Sequence, residues 1–346
     1  MYISEEGLLI NKPGSTDGLK LFSPVQSKTV RLINHDGVDI HTWAVHGKCT
    51  NWCTLLPNGN LLMNEAGSSP GPVPFGAGLM REYAPDGSVV WEHEDINQHH
   101  DVRRLSNGGT VYIAWEKMSD KQAATIDGGI SGTEIDGAIY SEVVRELNSS
   151  NHIVWEWRLA DHAKWPFHRN AVRRNYGHCN AIDPLPNGEY LLSFKVLNLL
   201  LIVSRKTGEI VWEFQDDALG GQHDAQVTDD GTILVFANGT YSSDLMHSQV
   251  WEIDRESKEI IWRYTEKRNP MNFFSTHISG VQRLNSGNTL ICEGSKGCIQ
   301  EVTPNCDVVW QYVNPHWQPH PKFTNINWLF RARHYMADAR EVAPYI

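Results

Sequence analysis

VTDDGTILVF (227–236) and, following it, VWEIDRESKEIIW (250–262) each read as an apolar strand, a polar turn and a second apolar strand. The turns carry Gly, Asn or Asp, residues that tolerate the positive φ a tight hairpin needs. Both forms recur. The first returns in TLLPNGNLLM (54–63), RRLSNGGTVYIAW (103–115), DPLPNGEYLLSF (183–194) and QRLNSGNTLICEG (282–294). A degenerate copy lies in KFTNINWLFRARHY (322–335). The second, ending in Trp, returns in VRLINHDGVDIHTW (30–43), REYAPDGSVVW (81–91), VRELNSSNHIVW (144–155), LIVSRKTGEIVW (201–212) and IQEVTPNCDVVW (299–310). The closing residues Trp43, Trp91, Trp155, Trp212, Trp262 and Trp310 are 48, 64, 57, 50 and 48 residues apart. Two hairpins per repeat make one four-stranded blade of that length. Six repeats predict an all-β, six-bladed β-propeller, with the strand near KLFSPV (20–25) completing the last blade. The reading treats residues 1–346 as one propeller domain with blades over roughly 20–335. The six Trp residues are expected to pack between blades.

Composition narrows the function. Lys and Arg total 30 against 41 Asp and Glu, a formal net charge of −11, and no basic run stands out. Such a chain is a poor partner for nucleic acid or an anionic membrane. The longest apolar stretch, VLNLLLIV (196–203), is too short to span a bilayer. MYISEEGLLI at the start has no basic n-region, and the six cysteines form no CxxC pair. The expectation is a cytoplasmic protein with free thiols.

The histidines are periodic. Counting eight residues back from each first-hairpin glycine reaches Asn51, His100, Asn180, His223 and Ser279; counting ten reaches Cys49, Gln98, His178, Gly221 and His277. Residues two apart face the same side of a strand. The strand before this turn is innermost in a propeller, so these side chains are expected to converge at one end of the channel. Clustered titratable groups in a concave site mark function. Asp101 and Asp224, one residue on, point away and are expected to bridge blades. His99, His152, His162, His168, His316 and His320 fall outside the register and read as surface or loop residues.

INQHHDVRRLSNGGTVYIA (96–114), YGHCNAIDPLPNGEYLLSFK (176–195), GGQHDAQVTDDGTILVFANG (220–239) and SGVQRLNSGNTLICEG (279–294) resemble the PAPS-independent arylsulfotransferase family, in order over roughly 20–335. The resemblance implies a six-bladed propeller that moves a sulfuryl group from an aryl sulfate to a phenolic acceptor through a sulfated histidine, with no required cofactor. His178 and Asn180 match the family's His-x-Asn motif, and His223 matches the histidine that is sulfated. His100 comes from the HHD segment. Lys195 stands where the family has arginine, a compact charge in place of a planar fork. In that reading His223 attacks sulfur and Asn180, His178 and Lys195 donate to the oxygens. His100 exchanges the phenol proton, and His277 orients substrate.

Two alternatives accompany it. His100, His178, His223 and His277 would also suit a divalent transition metal in a hydrolase or lyase. A propeller can equally serve as a non-catalytic interaction module. Insertions near 118–142 and 157–177 are expected to shape the substrate site. The second supplies Trp165, Phe167, Arg173 and Tyr176, aromatic and cationic side chains that suit an aromatic anion.

Overall fold

The computed structural model describes residues 5–69, 71–73, 78–240 and 245–346. Six four-stranded antiparallel blades form the ring, each running from an inner to an outer strand. Blade 1 is Cys49–Leu55, Leu61–Ala66, Gly78–Tyr83 and Val89–Glu94; blade 2 is Gln98–Arg104, Thr110–Lys117, Tyr140–Leu147 and Ile153–Arg158. Blade 3 is Cys179–Pro184, Glu189–Phe194, Leu199–Ser204 and Ile210–Gln215; blade 4 is His223–Val227, Ile233–Ala237, Gln249–Ile253 and Ile260–Tyr264. Blade 5 is Gly280–Arg283, Thr289–Glu293, Cys298–Val302 and Val308–Val313. Blade 6 joins the two ends of the chain: Leu329–Tyr335 is its inner strand, and Leu19–Pro24, Thr29–Ile33 and Asp39–Ala44 complete it. Closure therefore uses the strand near 20–25, as expected.

Burial follows position in the blade. The second strand of blade 4, Ile233–Ala237, lies between neighbouring blades on both faces and is apolar throughout. Outer strands alternate and leave Val90, Val154, Val211 and Ile261 about half exposed. Val309 in the same position is only 6% exposed, because Gly7–Asn11 adds a fifth strand over the edge of blade 5. That added strand covers unpaired backbone groups that an open edge would present.

Four of the six closing tryptophans tie neighbouring blades by a hydrogen bond, while Trp43 is buried with no partner for its Nε1 among the described residues. Indole Nε1 groups of Trp91, Trp212, Trp262 and Trp310 donate across to the outer turn of the next blade, at Asn151 Oδ1 (2.8 Å), Arg255 O (2.7 Å), Pro304 O (2.8 Å) and His35 O (2.8 Å). Between blades 2 and 3 the donor is Trp157, to Gly208 O at 3.0 Å, rather than Trp155.

The insertions are more ordered than loops. Ser119 and Gln122 form a capping box on the short helix Asp120–Ala123, and Gly128–Ile130 pairs in parallel with Phe167–Val172.

The inner strands are tied at the axis. Asp101 Oδ2 accepts from Ile182 N in the next blade (3.0 Å), Asp183 Oδ2 from Val227 N (2.8 Å) and Asp224 Oδ2 from Val281 N (2.9 Å). Asp101 and Asp224 thus bridge blades as anticipated. They also bind arginines that the register did not single out. Arg331 Nη1 lies 3.0 Å from Asp101 and its Nε 3.2 Å from Asp224; Arg333 Nη2 is 2.9 Å from Asp224 and Arg103 Nη1 2.7 Å from Asp101. All three guanidinium groups sit over the Trp52 ring, 4.3–4.9 Å from its centroid. Arg331→Met takes one partner from each of two buried carboxylates, which keep Arg103 and Arg333, so it is expected to lower stability by roughly 1.5–3 kcal/mol. Urea unfolding of the two proteins measures it, and a loss below about 1 kcal/mol would show the plug to be incidental.

Candidate active site

Above the plug, the first residues of the inner strands meet at one end of the ring. The backbone there is bulged. His100 (φ 55°), His178 (φ 56°), Asp224 (φ 53°), Ile278 (φ 54°) and Ser279 (φ 95°) are left-handed, a region that non-glycine residues rarely hold. Register shifts accompany those of blades 2 to 4, and the inner strand of blade 1 has one as well. Bulges re-aim side chains, and such strain collects at functional sites.

Three histidines form a chain. His178 Nε2 lies 3.2 Å from His100 Nε2, and His100 Nδ1 lies 2.7 Å from His99 Nδ1. Asn175 Nδ2 contacts His178 Nδ1. If the amide donates, each neutral ring must pass its proton one way, from His178 to His100 to His99. His99, read as a surface residue, is fully buried and stacks on Trp115 with centroids 3.8 Å apart.

His223 stands apart from the chain. Its Nδ1 is 2.8 Å from Asn238 Oδ1, and its Nε2 accepts from Ile278 N at 3.2 Å. Asn238 Nδ2 donates to Ser275 O (2.8 Å) and Ile278 O (3.1 Å), which sets the amide's orientation. The tautomer follows: Nδ1 carries the proton and Nε2 the lone pair. Asp224 takes no part in holding His223, since it is spent on Val281, Arg331 and Arg333.

Cations surround these rings. Burial, then the Lys195 charge and then Arg331, push His100 down to about 3. His223 and His178 are held well below the usual range, first by burial. His277, part-buried, is lowered to about 4 by burial, Lys195 and His320. Lys195 itself is lowered to about 8 by burial and then by Arg174. It lies in the turn Lys195–Leu197 after the second strand of blade 3, where Lys195 N donates to His178 O at 3.1 Å. Neutral imidazoles around a cation suit an anion.

Not every expected residue faces this space. Asn180 Nδ2 donates to Gln222 O at 2.7 Å, so that amide braces blade 3 against blade 4. Trp165, Phe167 and Tyr176 are core residues, 5%, 3% and 0% exposed, and offer a ligand no face. Tyr176 Oη donates to Trp165 O at 2.8 Å. Arg173 pairs with Glu134 at 2.8 Å and donates to Ile126 O and Gly128 O, fastening the two insertions together. The proposed substrate contacts from 157–177 are therefore replaced by a packing role, because the insertion folds its own apolar residues inward.

For a divalent metal, lone pairs must converge. Here His100 and His178 point at each other, both His223 nitrogens are engaged, and His277 Nδ1 meets Thr276 Oγ1 at 2.9 Å. Among the described residues no three His, Cys, Asp or Glu side chains are grouped to hold one. This donor set does not fit the metal reading.

Asn238, Trp115 and Arg331 were not singled out from the sequence. A second register reaches two of them: seven residues after the five turn glycines lie Ala66, Trp115, Lys195, Asn238 and Gly294. Glu142 had no such signal. It is buried beside Gly177, whose added Cβ would lie 2.3 Å from its Oε2, and burial pushes its carboxyl well up.

Similarity to known proteins bears on the family and the fold. The Arylsulfotransferase (ASST) family model matches residues 53–315, and the chain belongs to that family. No protein of curated function matches the sequence significantly. Among solved structures, a Bacteroides caccae protein of unknown function superposes with a TM-score of 0.56 at 13% identity, over 92% of this chain and 99% of that one. A streptogramin B lyase gives 0.52 at 11% identity, over 97% and 96%. The WD40 propeller domain of Doa1 gives 0.50 at 11%, over 85% and 75%. At such identities these share a fold, and the family membership carries an arylsulfotransferase-like function in general terms.

The lowered histidines are testable directly. Nitrogen-detected NMR titration from pH 8 to pH 5 is expected to leave His100 and His223 neutral, with His223 protonated on Nδ1. A His223 signal for the Nε2–H tautomer would contradict the Asn238 geometry.

Proposed function

We propose that this protein transfers a sulfuryl group from an aryl sulfate to a phenol, with His223 Nε2 as the carrier. The observation that carries the reading is the Asn238 amide, fixed by two carbonyls so that His223 Nδ1–H is held and Nε2 keeps its lone pair. A neutral imidazole in that tautomer is the form that attacks sulfur. The long bond from Ile278 N at 3.2 Å gives way as Nε2 bonds sulfur, which frees that N–H for a sulfuryl oxygen.

Lys195 replaces His100 as the proton carrier in this scheme. Both His100 nitrogens lie inside the buried chain. Lys195 has a value of about 8, near that of the phenols to be handled. Its ammonium draws the sulfate in. As Nε2 bonds sulfur, the S–O bond breaks and the leaving phenolate takes a proton from Lys195. The result is a phenol, a neutral lysine and an imidazolium carrying SO3⁻, with Asn238 Oδ1 on its Nδ1–H. The acceptor phenol then gives its proton to Lys195 while its oxygen bonds sulfur and the S–N bond breaks. Both groups return to their starting states.

Two outcomes follow. Incubation with 4-nitrophenyl sulfate and no acceptor is expected to add one sulfuryl group, mapped by mass spectrometry to His223; robust transfer by His223→Asn would exclude it as carrier. Lys195 loses its charge as pH rises through about 8, so kcat/KM is expected to fall above that pH. Lys195→Arg keeps the charge and is expected to flatten that limb. It also removes the proton donor, so esters of weakly acidic phenols should slow by roughly 10²–10⁴ while 4-nitrophenyl sulfate is spared. An equal effect on both donors would return proton transfer to a histidine.

A further inference from the structure

The connection from blade 5 to blade 6 runs from the end of an outer strand, Val308–Val313, to the start of an inner one, Leu329–Tyr335. It therefore emerges at the same end of the ring as the histidines. Within it, Gln318–Pro319 pairs with Asn325–Ile326 in a small hairpin. This segment carries a cluster of rings. His320 and Phe323 stack at 5.1 Å, Phe323 meets Trp328 at 5.7 Å and His320 meets Trp328 at 5.4 Å. His277 joins from the loop before blade 5, edge-on to Trp328 at 4.7 Å. Burial is the main cause of its lowered value, and Lys195 and His320 both act on it, so both lie near this ring.

The cluster is held and yet open. Pro319 and Pro321 flank His320 and restrict its backbone. Asn314 Nδ2 donates to Asn327 O at 2.9 Å, and Val25 N donates to Trp328 O at 2.8 Å, so the base of the hairpin is tied to blade 6. Phe323 at the tip is 54% exposed, while Trp328 and His277 are part-buried. The ring cluster thus runs from the exposed Phe323 through Trp328 to His277, the ring on which Lys195 acts. Pre-set rings take a flat ligand with little ordering cost.

We propose that Phe323, His320, Trp328 and His277 form the platform that takes the aromatic ring of the sulfate ester, with its sulfate directed at Lys195. This deepens the sulfuryl-transfer reading and rests on it for the identity of the head group. The platform selects aryl over alkyl sulfates, since a methyl ester has the same head and no ring to stack.

Calorimetry with 4-nitrophenyl sulfate, methyl sulfate and inorganic sulfate tests it in the full chain. Phe323 is exposed, so Phe323→Ala is expected to fold normally and to weaken 4-nitrophenyl sulfate by roughly threefold to tenfold. Trp328→Ala should weaken it more. Inorganic sulfate should bind both variants as it binds the wild type. Unchanged aryl sulfate binding by both variants would overturn the platform, as would equal loss for inorganic sulfate. Wild-type protein that binds the aryl ester on these rings but never transfers its sulfuryl group would sink the proposed reaction and leave the platform standing. Failure of the wild type to bind any of the three would overturn both.

Discussion

Three arginines and two aspartates packed around Trp52 hold the centre of the ring. Arg331 alone reaches carboxylates of blades 2 and 4 from blade 6, with side chains of Arg331, Asp101 and Asp224 no more than 1% exposed. A propeller's inner strands diverge from an axis that no backbone hydrogen bond crosses. Charge pairs in low dielectric supply that cross-link, provided that every partner is present. The same carboxylates accept backbone N–H groups of the following blade, so axial packing and blade order depend on one set of atoms.

The plug also shapes the chemistry above it. Lys195 and, to a lesser degree, Arg331 depress His100 and His223. Burial is the larger cause for each ring. Together these effects keep the imidazoles neutral, able to accept or attack, while leaving net positive charge for an anion. A site built from the same histidines beside carboxylates would instead be cationic and a poor nucleophile.

In the proposed reaction, lysine in place of the family's arginine changes what the site can do. Arginine stays protonated and is a fixed clamp. A lysine lowered to about 8 still attracts an anion near neutrality but also exchanges a proton. In that reaction His100, committed at both nitrogens, is left to orient His178.

Much of the fold was legible along the chain, because hairpin turns and the closing tryptophans are local features repeated six times. Ring closure by residues 19–24 was readable for the same reason, since one blade lacked three strands. Part of the candidate site was readable as a proposal: His100, His178, His223 and Lys195 emerged from turn spacing and family motif. Tertiary structure decided the rest. Left-handed bulges at His100, His178 and Asp224 break the strict alternation on which counting relies, so His99 turned inward and Asn180 turned to the next blade. Trp165, Phe167 and Tyr176 looked like a binding surface in one dimension, and only packing between insertions showed them to be core. Asn238 and Arg331 acquire their roles from partners in other blades. Periodicity records which face a residue takes on its own strand; it carries no information about which distant atom will meet it there.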